Sequence, residues 1–317
     1  MIEVTILGTG ATRPTPRRFT TSLVVRHEGE VFLFDCGEGV QIRLGQSGFS
    51  LMKIDKIFIT HFHGDHILGL PGILFSMAKN ERKHPVNIYG PAGLERIVNG
   101  LLSLGFGRIP FEVNVHEVHP GQSITGETSN KRGTEYVIDT FKTRHTKASI
   151  GYIFREKGYA NVNKQKMKDE GVKPNPKFAE LKKGRQVEID GRIFKPEDWL
   201  IEMPGASVAY TGDTMKDPGV VEAVRGVDVL VHEATFIEED RGKFDWGHSS
   251  ARDAAEVAGE AEAKHLYLIH FSHRYKTVRP LLLEARQIFK NSYIAEDLHG
   301  FVLKKGSFAQ FKPKGRV

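Results

Sequence analysis

The chain has 317 residues, a hydrophobic content of 39% and a net charge of only +6. This length fits one large domain or two medium ones, and no apolar run approaches the roughly 20 residues that cross a bilayer. Residues 1–8 alternate like a strand and lack the features of a secretion signal, so we expect a cytoplasmic protein without a membrane partner. The single cysteine, Cys36, excludes an internal disulfide and a zinc-finger framework.

The positive charge is concentrated in two segments. Residues 155–185 contain ten Lys and Arg against four Asp and Glu, and residues 304–317 contain five basic residues and no acidic one. Subtracting these segments, with net charges of +6 and +5, from the total of +6 leaves −5 for the other residues. This distribution indicates a polyanionic partner, because a generally basic surface would spread the charge over the chain.

The amino-terminal part has the pattern of a strand meander. Strands are predicted at 2–7, 22–26 and 31–35, followed by a helix at 40–44. A loop rich in glycine and proline lies between the first two strands, and its three arginines suit contact with phosphate. Asp35, at the end of the third strand, either orients a ligand histidine or caps the turn, and the sequence leaves both interpretations open.

The most informative stretch follows an apolar strand predicted at 53–60. It places three imidazoles and one carboxylate within six positions, on His61, His63, Asp65 and His66. Imidazole nitrogens and carboxylate oxygens both suit zinc, and a short loop can direct two side chains at one ion and two at another. A purely structural zinc site is disfavoured, because such sites rely heavily on cysteine.

Helices and strands alternate beyond this loop. The predicted elements are a helix at 67–75, a strand at 86–90, a helix at 94–104, a strand at 111–118 and a strand pair at 136–143 and 150–154. The strand pair places His145 at its bend, so this histidine falls at a strand end, as His61 does.

Residues 156–185 interrupt the alternation. Their lysines and arginines are interleaved with glycine and proline, and apolar residues are sparse. The stretch is predicted to bury little and to form a flexible arm inserted into a single domain that spans residues 1–317. Its length and one-sided charge favour an RNA-binding or partner-binding arm over a solvated loop.

The carboxyl-terminal part resumes the alternation. Ser250 and Asp253 match a capping box at the start of a helix that is rich in helix formers. The predicted elements are strands at 208–214 and 227–235, a helix at 251–263, a strand at 265–270, a helix at 279–289 and strands near 293–303.

Five predicted strand ends carry groups that can bind metal. They are the 60–66 loop, His145, Asp213, His232 with Glu233, and His270. Open α/β folds place their sites where strand ends meet at one sheet edge. Seven of these groups would supply each of two ions with three ligands of its own and both ions with one shared carboxylate, which is the arrangement of a two-metal hydrolase.

At these residues the chain resembles the metallo-β-lactamase superfamily and, within it, the ribonuclease Z family of tRNA 3′-processing endonucleases. The superfamily motif His-x-His-x-Asp-His is matched at 61–66, and more specific signatures are matched at 35–39, 232–235 and 248–250. The resemblance covers about residues 4–303. The chain departs from the family pattern at Phe19, Asn175 and Ser250.

The resemblance implies a four-layer αβ/βα sandwich with a protruding basic arm. It also implies a homodimer with two Zn2+ per subunit, for which Mn2+ or another divalent ion could substitute. One ion would be bound by His61, His63 and His145, and the other by Asp65, His66 and His270, with Asp213 bridging both.

Three residues are predicted to act on precursor tRNA. Asp65 would take a proton from the attacking water, and His248 would protonate the leaving 3′ oxygen while Glu233 holds its imidazole. The products would be a tRNA with a 3′-hydroxyl and a trailer with a 5′-phosphate. A purely capping role for His248 stays open, and His232 is expected to lie beneath the site.

Two other functions are compatible with the motifs. A small-molecule hydrolase of the same fold, acting on a thioester, a lactam or a cyclic phosphodiester, shares the histidine motif but leaves the basic arm unexplained. A catalytically inert, metal-stabilised RNA-binding protein does not require the complete set of seven ligands together with His248. Incubation with a 3′-extended tRNA precursor separates the three functions.

Overall fold

The computed structural model describes residues 1–104, 108–128, 134–243, 247–304 and 307–312. The strands of these residues are β1 (Ile2–Gly8), β2 (Ser22–His27), β3 (Glu30–Phe34), β4 (Ile54–Phe58), β5 (Val86–Gly90), β6 (Val113–Glu117), β7 (Ser123–Glu127), β8 (Glu135–Lys142), β9 (Ile150–Glu156), β10 (Tyr159–Val162), β11 (Val187–Ile189), β12 (Arg192–Phe194), β13 (Leu200–Met203), β14 (Ser207–Tyr210), β15 (Val229–Glu233), β16 (His265–Ile269), β17 (Ser292–Ile294), β18 (Gly300–Lys304) and β19 (Ser307–Phe311). The α-helices are α1 (Val40–Ser47), α2 (Gly64–Ile67), α3 (Leu70–Lys79), α4 (Leu94–Leu102), α5 (Lys164–Asp169), α6 (Phe178–Leu181), α7 (Pro196–Trp199), α8 (Pro218–Ala223), α9 (Ala251–Glu260) and α10 (Arg279–Ile288). The chain divides into two compact units, Met1–Arg155 with Ala206–Val317 and Glu156–Gly205.

The larger unit contains two β-sheets that face each other. One sheet has the order β19-β18-β1-β2-β3-β4-β5-β6, and the other has the order β17-β16-β15-β14-β9-β8-β7. Alternate residues of a strand point to the same face, so Ile2, Val4 and Ile6 of β1 enter a shared core with Val229 and Val231 of β15. The two inner faces therefore form one continuous apolar layer.

Helices cover the outer face of each sheet. Leu7 and Val24 point away from the shared core and pack in a second cluster with apolar residues of α1, α3 and α4. The other sheet packs its outer face against α8, α9 and α10. The order of layers is thus helix, sheet, sheet, helix, and the predicted α/β fold class is confirmed.

Most predicted elements agree with the structure to within a few residues. The capping box is present: Ser250 Oγ accepts a hydrogen bond from the Asp253 backbone N–H, and the Asp253 carboxylate accepts one from the Ser250 backbone N–H. The helix predicted at 67–75 is instead divided between α2 and α3. The strands β7 and β19 were not predicted, because each lies at a sheet edge, is partly exposed and lacks a strongly apolar face.

The smaller unit contradicts the prediction that this segment buries little. It contains the ladder of β10 with β13, the hairpin of β11 with β12, and three short helices. Six of its side chains form a buried cluster: Val162, Met167, Phe178, Leu181, Phe194 and Trp199. Two of these, Phe194 and Trp199, lie beyond residue 185, so the predicted arm was too short to include its own core. The flexibility of this unit stays a prediction.

Among the described residues, no helix combines the length and the apolar character needed to cross a membrane. In the basic carboxyl-terminal segment, Lys304 ends β18 and Lys312 follows β19. The other basic residues of that segment, Lys305, Lys314 and Arg316, lie outside the described residues.

Candidate metal centre

The seven predicted ligand side chains converge at one edge of the larger unit. The histidine loop follows β4, His145 lies between β8 and β9, Asp213 follows β14, and His270 follows β16. In each of two groups the ligand atoms all lie within 4.8 Å of one another; the groups are His61, His63, His145 with Asp213, and Asp65, His66 with His270. The structure therefore brings together the seven side chains that the resemblance implies as ligands.

Asp213 lies between the two groups. Its carboxylate oxygens are 3.3–3.6 Å from the Nε2 atoms of His61, His66, His145 and His270. Two of these histidines belong to each group, so a single carboxylate faces both. This is the position that a bridging ligand requires.

The backbone around Asp213 depends on a glycine. Gly212 has a φ of 60°, and a Cβ atom at this position would lie 2.8 Å from the Thr60 side chain. Only glycine adopts this left-handed conformation without a steric cost, so the end of β14 can approach the histidine loop. Asp35 and His270 also have positive φ, of 56° and 61°, and such conformations in non-glycine residues cluster at functional sites.

Two threonine hydroxyls fix the orientation of two ligand histidines. Thr60 Oγ1 donates to Asp35 Oδ2 at 2.9 Å, so it accepts from His61 Nδ1, which lies 3.0 Å away. Thr235 Oγ1 donates to Glu233 Oε2 at 2.6 Å and accepts from His270 Nδ1 at 2.9 Å. Both imidazoles are thereby held with the Nδ1 proton outward and the Nε2 lone pair towards Asp213.

The histidines His66 and His145 are oriented in the same way. His66 Nδ1 donates to Asp35 Oδ2 at 2.7 Å, and His145 Nδ1 donates to the Gly247 carbonyl at 2.8 Å. Asp35 also accepts from the Thr60 backbone N–H and from the Tyr210 hydroxyl. Of the two roles left open for Asp35, the contacts support the orientation of a ligand histidine.

The donor set fits a divalent metal ion. Among the described residues, three buried atoms that face the centre lack a hydrogen-bond partner: His61 Nε2, His66 Nε2 and Asp213 Oδ1. An unpartnered buried polar atom is costly, and a bound cation would satisfy all three. Burial holds the pKa of His61 well below its usual value, which keeps this imidazole neutral and able to bind metal. Burial also lowers the pKa of His66, but the carboxylates of Asp213, Asp35 and Asp65 outweigh it and raise this pKa, so a bound cation would have to displace a proton from His66.

Glu233 and His248 form a hydrogen-bonded pair beside the ligands. Glu233 Oε1 accepts from His248 Nδ1 at 2.9 Å and from the Thr214 backbone N–H, while Oε2 accepts from the Ser249 backbone N–H. Burial lowers the pKa of His248, but the Glu233 carboxylate outweighs this and raises the pKa to about 9. Burial raises the pKa of Glu233, and the charge of His248 reverses this, so the pair is an imidazolium and a carboxylate.

A cavity of about 310 Å3 opens in front of the centre, and His63, Asp65, Asp213, His248 and His270 contribute to its lining. Asp65 Oδ2 accepts a hydrogen bond of 2.5 Å from the Thr12 backbone N–H, which ties the arginine-containing loop to the centre. His248 Nδ1 lies 3.8 Å from Asp213 Oδ2, but its bond to Glu233 occupies this nitrogen. His248 is therefore placed to exchange a proton with a molecule in the cavity.

His232 has no part in the centre. It is buried, its Nδ1 donates to the Glu233 backbone carbonyl at 2.7 Å, and it belongs to neither ligand group. Three residues that orient candidate ligands or their partners were not predicted from the sequence: Thr60, Thr235 and Tyr210. The available signal for the first was a hydroxyl residue directly before a ligand histidine.

Comparisons with known proteins identify the family. The protein-family model described as "Beta-lactamase superfamily domain" matches residues 179–271, and the one described as "Anti-Pycsar protein Apyc1" matches residues 2–169. A protein named ribonuclease Z from Sulfolobus acidocaldarius is 38% identical over 305 residues, which cover 96% of this chain and all of that one. A ribonuclease Z from Methanothermobacter thermautotrophicus is 40% identical over 300 residues, covering 94% of this chain and 95% of that one. The chain belongs to the ribonuclease Z family.

Solved structures agree with the family. The crystal structure of the short form of human tRNase Z is 28% identical, has a TM-score of 0.66, and covers 95% of this chain and 99% of that one. A metallo-β-lactamase fold protein from Bacillus subtilis, 20% identical with a TM-score of 0.66 and coverage of 98% and 99%, shows the same fold. The predicted resemblance to ribonuclease Z and the metallo-β-lactamase fold are thus confirmed.

Proposed function

We propose that this member of the ribonuclease Z family is a metal-dependent endoribonuclease that removes the 3′ trailer from precursor tRNA. The observation that carries the proposal is the pair of ligand groups around Asp213, with three buried atoms lacking partners. Histidine and carboxylate ligands suit zinc, so two Zn2+ per subunit are part of the proposal, and Mn2+ is a substitute to test. The human relative of similar structure is named a tRNase Z.

The proposed chemistry assigns one proton transfer to each side of the scissile bond. When bound, two divalent ions lower the pKa of a water molecule towards about 7 and neutralise phosphate charge. Asp65, in the cavity, accepts the proton of the attacking water. His248 donates its proton to the leaving 3′ oxygen of the tRNA, and Glu233 keeps His248 protonated and oriented. The trailer leaves with a 5′-phosphate.

The smaller unit, residues 156–205, is proposed to hold the body of the tRNA. Folded tRNA presents mainly phosphates and shape, so a lysine-rich surface can position it without reading sequence. This binding is expected to weaken steeply with salt. The homodimer and the cytoplasmic location stay predictions.

Replacing residues 156–205 with a short glycine-rich turn is expected to lower kcat/KM for precursor tRNA by roughly 100-fold, since phosphate contacts supply much of the affinity for nucleic acids. Arg155 of β9 pairs with Ser207 of β14, so a short turn can join these antiparallel strands. Hydrolysis of bis(p-nitrophenyl) phosphate should stay within twofold of the full-length protein. The measurement is steady-state kinetics on both substrates, with the melting temperature as a check of folding.

The two substrates separate the possible outcomes of this replacement. Loss of both activities in a folded variant would mean that the unit supports the active centre instead of binding RNA. Unchanged cleavage of precursor tRNA would mean that the smaller unit does not contribute to substrate binding. A full-length protein that hydrolyses the small phosphodiester but never cleaves precursor tRNA would favour the small-molecule hydrolase.

Glu233→Gln is expected to move the alkaline limb of the pH profile of precursor tRNA cleavage to lower pH. The Glu233 carboxylate raises the pKa of His248, and a neutral side chain removes this effect, so the pKa falls towards its ordinary value near 6.5. The acid form of His248 is then lost at lower pH. The control is Glu260→Gln on the exposed part of α9, whose profile should match the unsubstituted protein. An unmoved alkaline limb in folded Glu233→Gln would contradict the assigned role.

A further inference from the structure

The smaller unit contains a cavity of its own, within residues 161–182. The cavity has a volume of about 640 Å3, inside the range of roughly 300–1,000 Å3 typical of small-molecule sites. Val162, Met167, Val172 and Phe178 contribute apolar side chains to its lining. Three of these belong to the buried cluster of the unit and Val172 packs against it, so this surface is held in place by the core.

Three lysines of this cavity are free. Lys164, Lys168 and Lys182 line it and are exposed, and none makes a side-chain hydrogen bond or ion pair with a described residue. Several other cations of the unit are occupied: Lys183 and Arg185 bind Glu180, and Lys177 donates to the Glu188 carbonyl. Lys173 and Lys195 also make no side-chain hydrogen bond or ion pair with a described residue, but neither lines the cavity. The uncompensated positive charge of the three cavity lysines is therefore placed around an apolar surface.

Two asparagines add neutral donors to the same lining. Asn161 Oδ1 accepts from the Val162 backbone N–H at 3.0 Å, and Asn175 Oδ1 accepts from the Lys177 backbone N–H at 2.9 Å. The amide oxygens are used, and the Nδ2 groups make no hydrogen bond with described residues. The side chains of the cavity thus offer apolar contact and hydrogen-bond donors, which suits a flat apolar ligand with acceptor atoms and negative charge.

We propose that this cavity binds one unpaired nucleotide of the precursor tRNA, with the base on the apolar surface and the flanking phosphates at Lys164, Lys168 and Lys182. The inference rests on the proposed function and adds a defined subsite to it. Unpaired RNA bases that leave their stack gain affinity from contact with apolar and aromatic side chains, while lysines neutralise the backbone. A cavity with both properties fits a nucleotide better than a duplex backbone, which offers no exposed base face.

The first test fills the cavity without changing charge. Ala179 is exposed and lines the cavity, so Ala179→Trp should block it and weaken binding of precursor tRNA by about tenfold, the order expected for loss of one stacked base. Hydrolysis of bis(p-nitrophenyl) phosphate and the melting temperature should be unchanged. Unaltered binding of precursor tRNA by folded Ala179→Trp would overturn the inference.

The second test compares two variants with the same change in charge. The first variant has glutamine in place of Lys164, Lys168 and Lys182. Its slope of log Kd against log salt should be lower by about 2, because each phosphate contact of a single strand contributes roughly 0.7 to the slope. The control replaces Lys177, Lys183 and Arg185 with glutamine and should change the slope less. Equal slopes for both triple variants would overturn the assignment of the phosphates.

The third test identifies the nucleotide. Each unpaired nucleotide of the precursor is replaced in turn by an abasic one, and binding is measured with the unsubstituted protein and with Ala179→Trp. At one position, the abasic nucleotide should weaken binding to the unsubstituted protein by about tenfold and leave binding to Ala179→Trp unchanged. The base at that position and the cavity then contribute to affinity through the same contact. The absence of any such position would overturn the inference, whereas failure of the unsubstituted protein to cleave the precursor would instead overturn the proposed function.

Discussion

Asp213→Asn is expected to lower cleavage of precursor tRNA by on the order of 10^3-fold or more while leaving its binding nearly unchanged. Metal ions contribute several kcal/mol of transition-state stabilisation, and each 1.36 kcal/mol corresponds to a tenfold change in rate. Asp213 faces histidines of both ligand groups, so its loss should reduce the occupancy of both. The measurements are metal content, binding of precursor tRNA and single-turnover cleavage.

Thermal stability provides an independent measure of the same substitution. A ligand at 100 times its Kd stabilises the folded state by about 2.7 kcal/mol, so zinc should raise the melting temperature of the unsubstituted protein and have little effect on Asp213→Asn. The matched control is Asp217→Asn, which changes a helix-capping carboxylate outside both ligand groups and retains a good capping residue. Full metal content and unchanged cleavage in Asp213→Asn would contradict the assignment of Asp213 as a metal ligand.

The elements that the sequence specified well are those in which local pattern and tertiary burial agree. Val86–Gly90 was predicted as a strand and is one, because its apolar residues alternate and its ends are marked by proline and glycine. The helix that begins at Ala251 was predicted from its capping box, which is a local signal. In an edge strand such as β7 the local pattern and the tertiary burial do not agree, because hydrogen bonding to a single neighbouring strand determines its conformation.

The convergence of the candidate ligands was predictable and their orientation was not. Histidines and aspartates at successive strand ends are visible in a sequence, because strand ends in an α/β fold meet at one edge. The contacts that orient them join distant positions: Tyr210 donates to Asp35 across 175 residues, and Asp35 accepts from His66 Nδ1 across 31. Such pairs depend on tertiary packing, which no local pattern encodes.

The inserted unit shows where composition misleads. Between residues 156 and 185 the charge is high and apolar residues are sparse, which is the pattern of a solvated segment. In the structure, Phe194 and Trp199 complete a small core, and several lysine and arginine side chains form ion pairs within the unit. Charge density alone therefore overstates the surface available for RNA, and the free lysines around the cavity are the more informative set.

His248→Ala is expected to lower kcat for precursor tRNA by about 10^3-fold, within the range of 10^2–10^4 attributed to general acid–base catalysis. The 3′ oxygen of a ribose is a poor leaving group unless it is protonated as the bond to phosphorus breaks. His248 lines the cavity, its Nδ1 is held by Glu233 at 2.9 Å, and the carboxylate raises the pKa of the imidazole to about 9. At neutral pH the proton is thus present on the residue that we propose as its donor.

A precursor with sulfur in place of the leaving 3′ oxygen distinguishes proton donation from structural support by His248. A thiol has a pKa near 8.5, far below that of an alcohol, so a thiolate leaves without a proton donor. His248→Ala should therefore cleave the sulfur substrate at nearly the rate of the unsubstituted protein, and both should contain the same amount of metal. His119→Ala, an exposed histidine outside the ligand groups, should behave as the unsubstituted protein on both substrates. An equal loss of rate on the oxygen and sulfur substrates would mean that His248 holds the centre together and donates no proton.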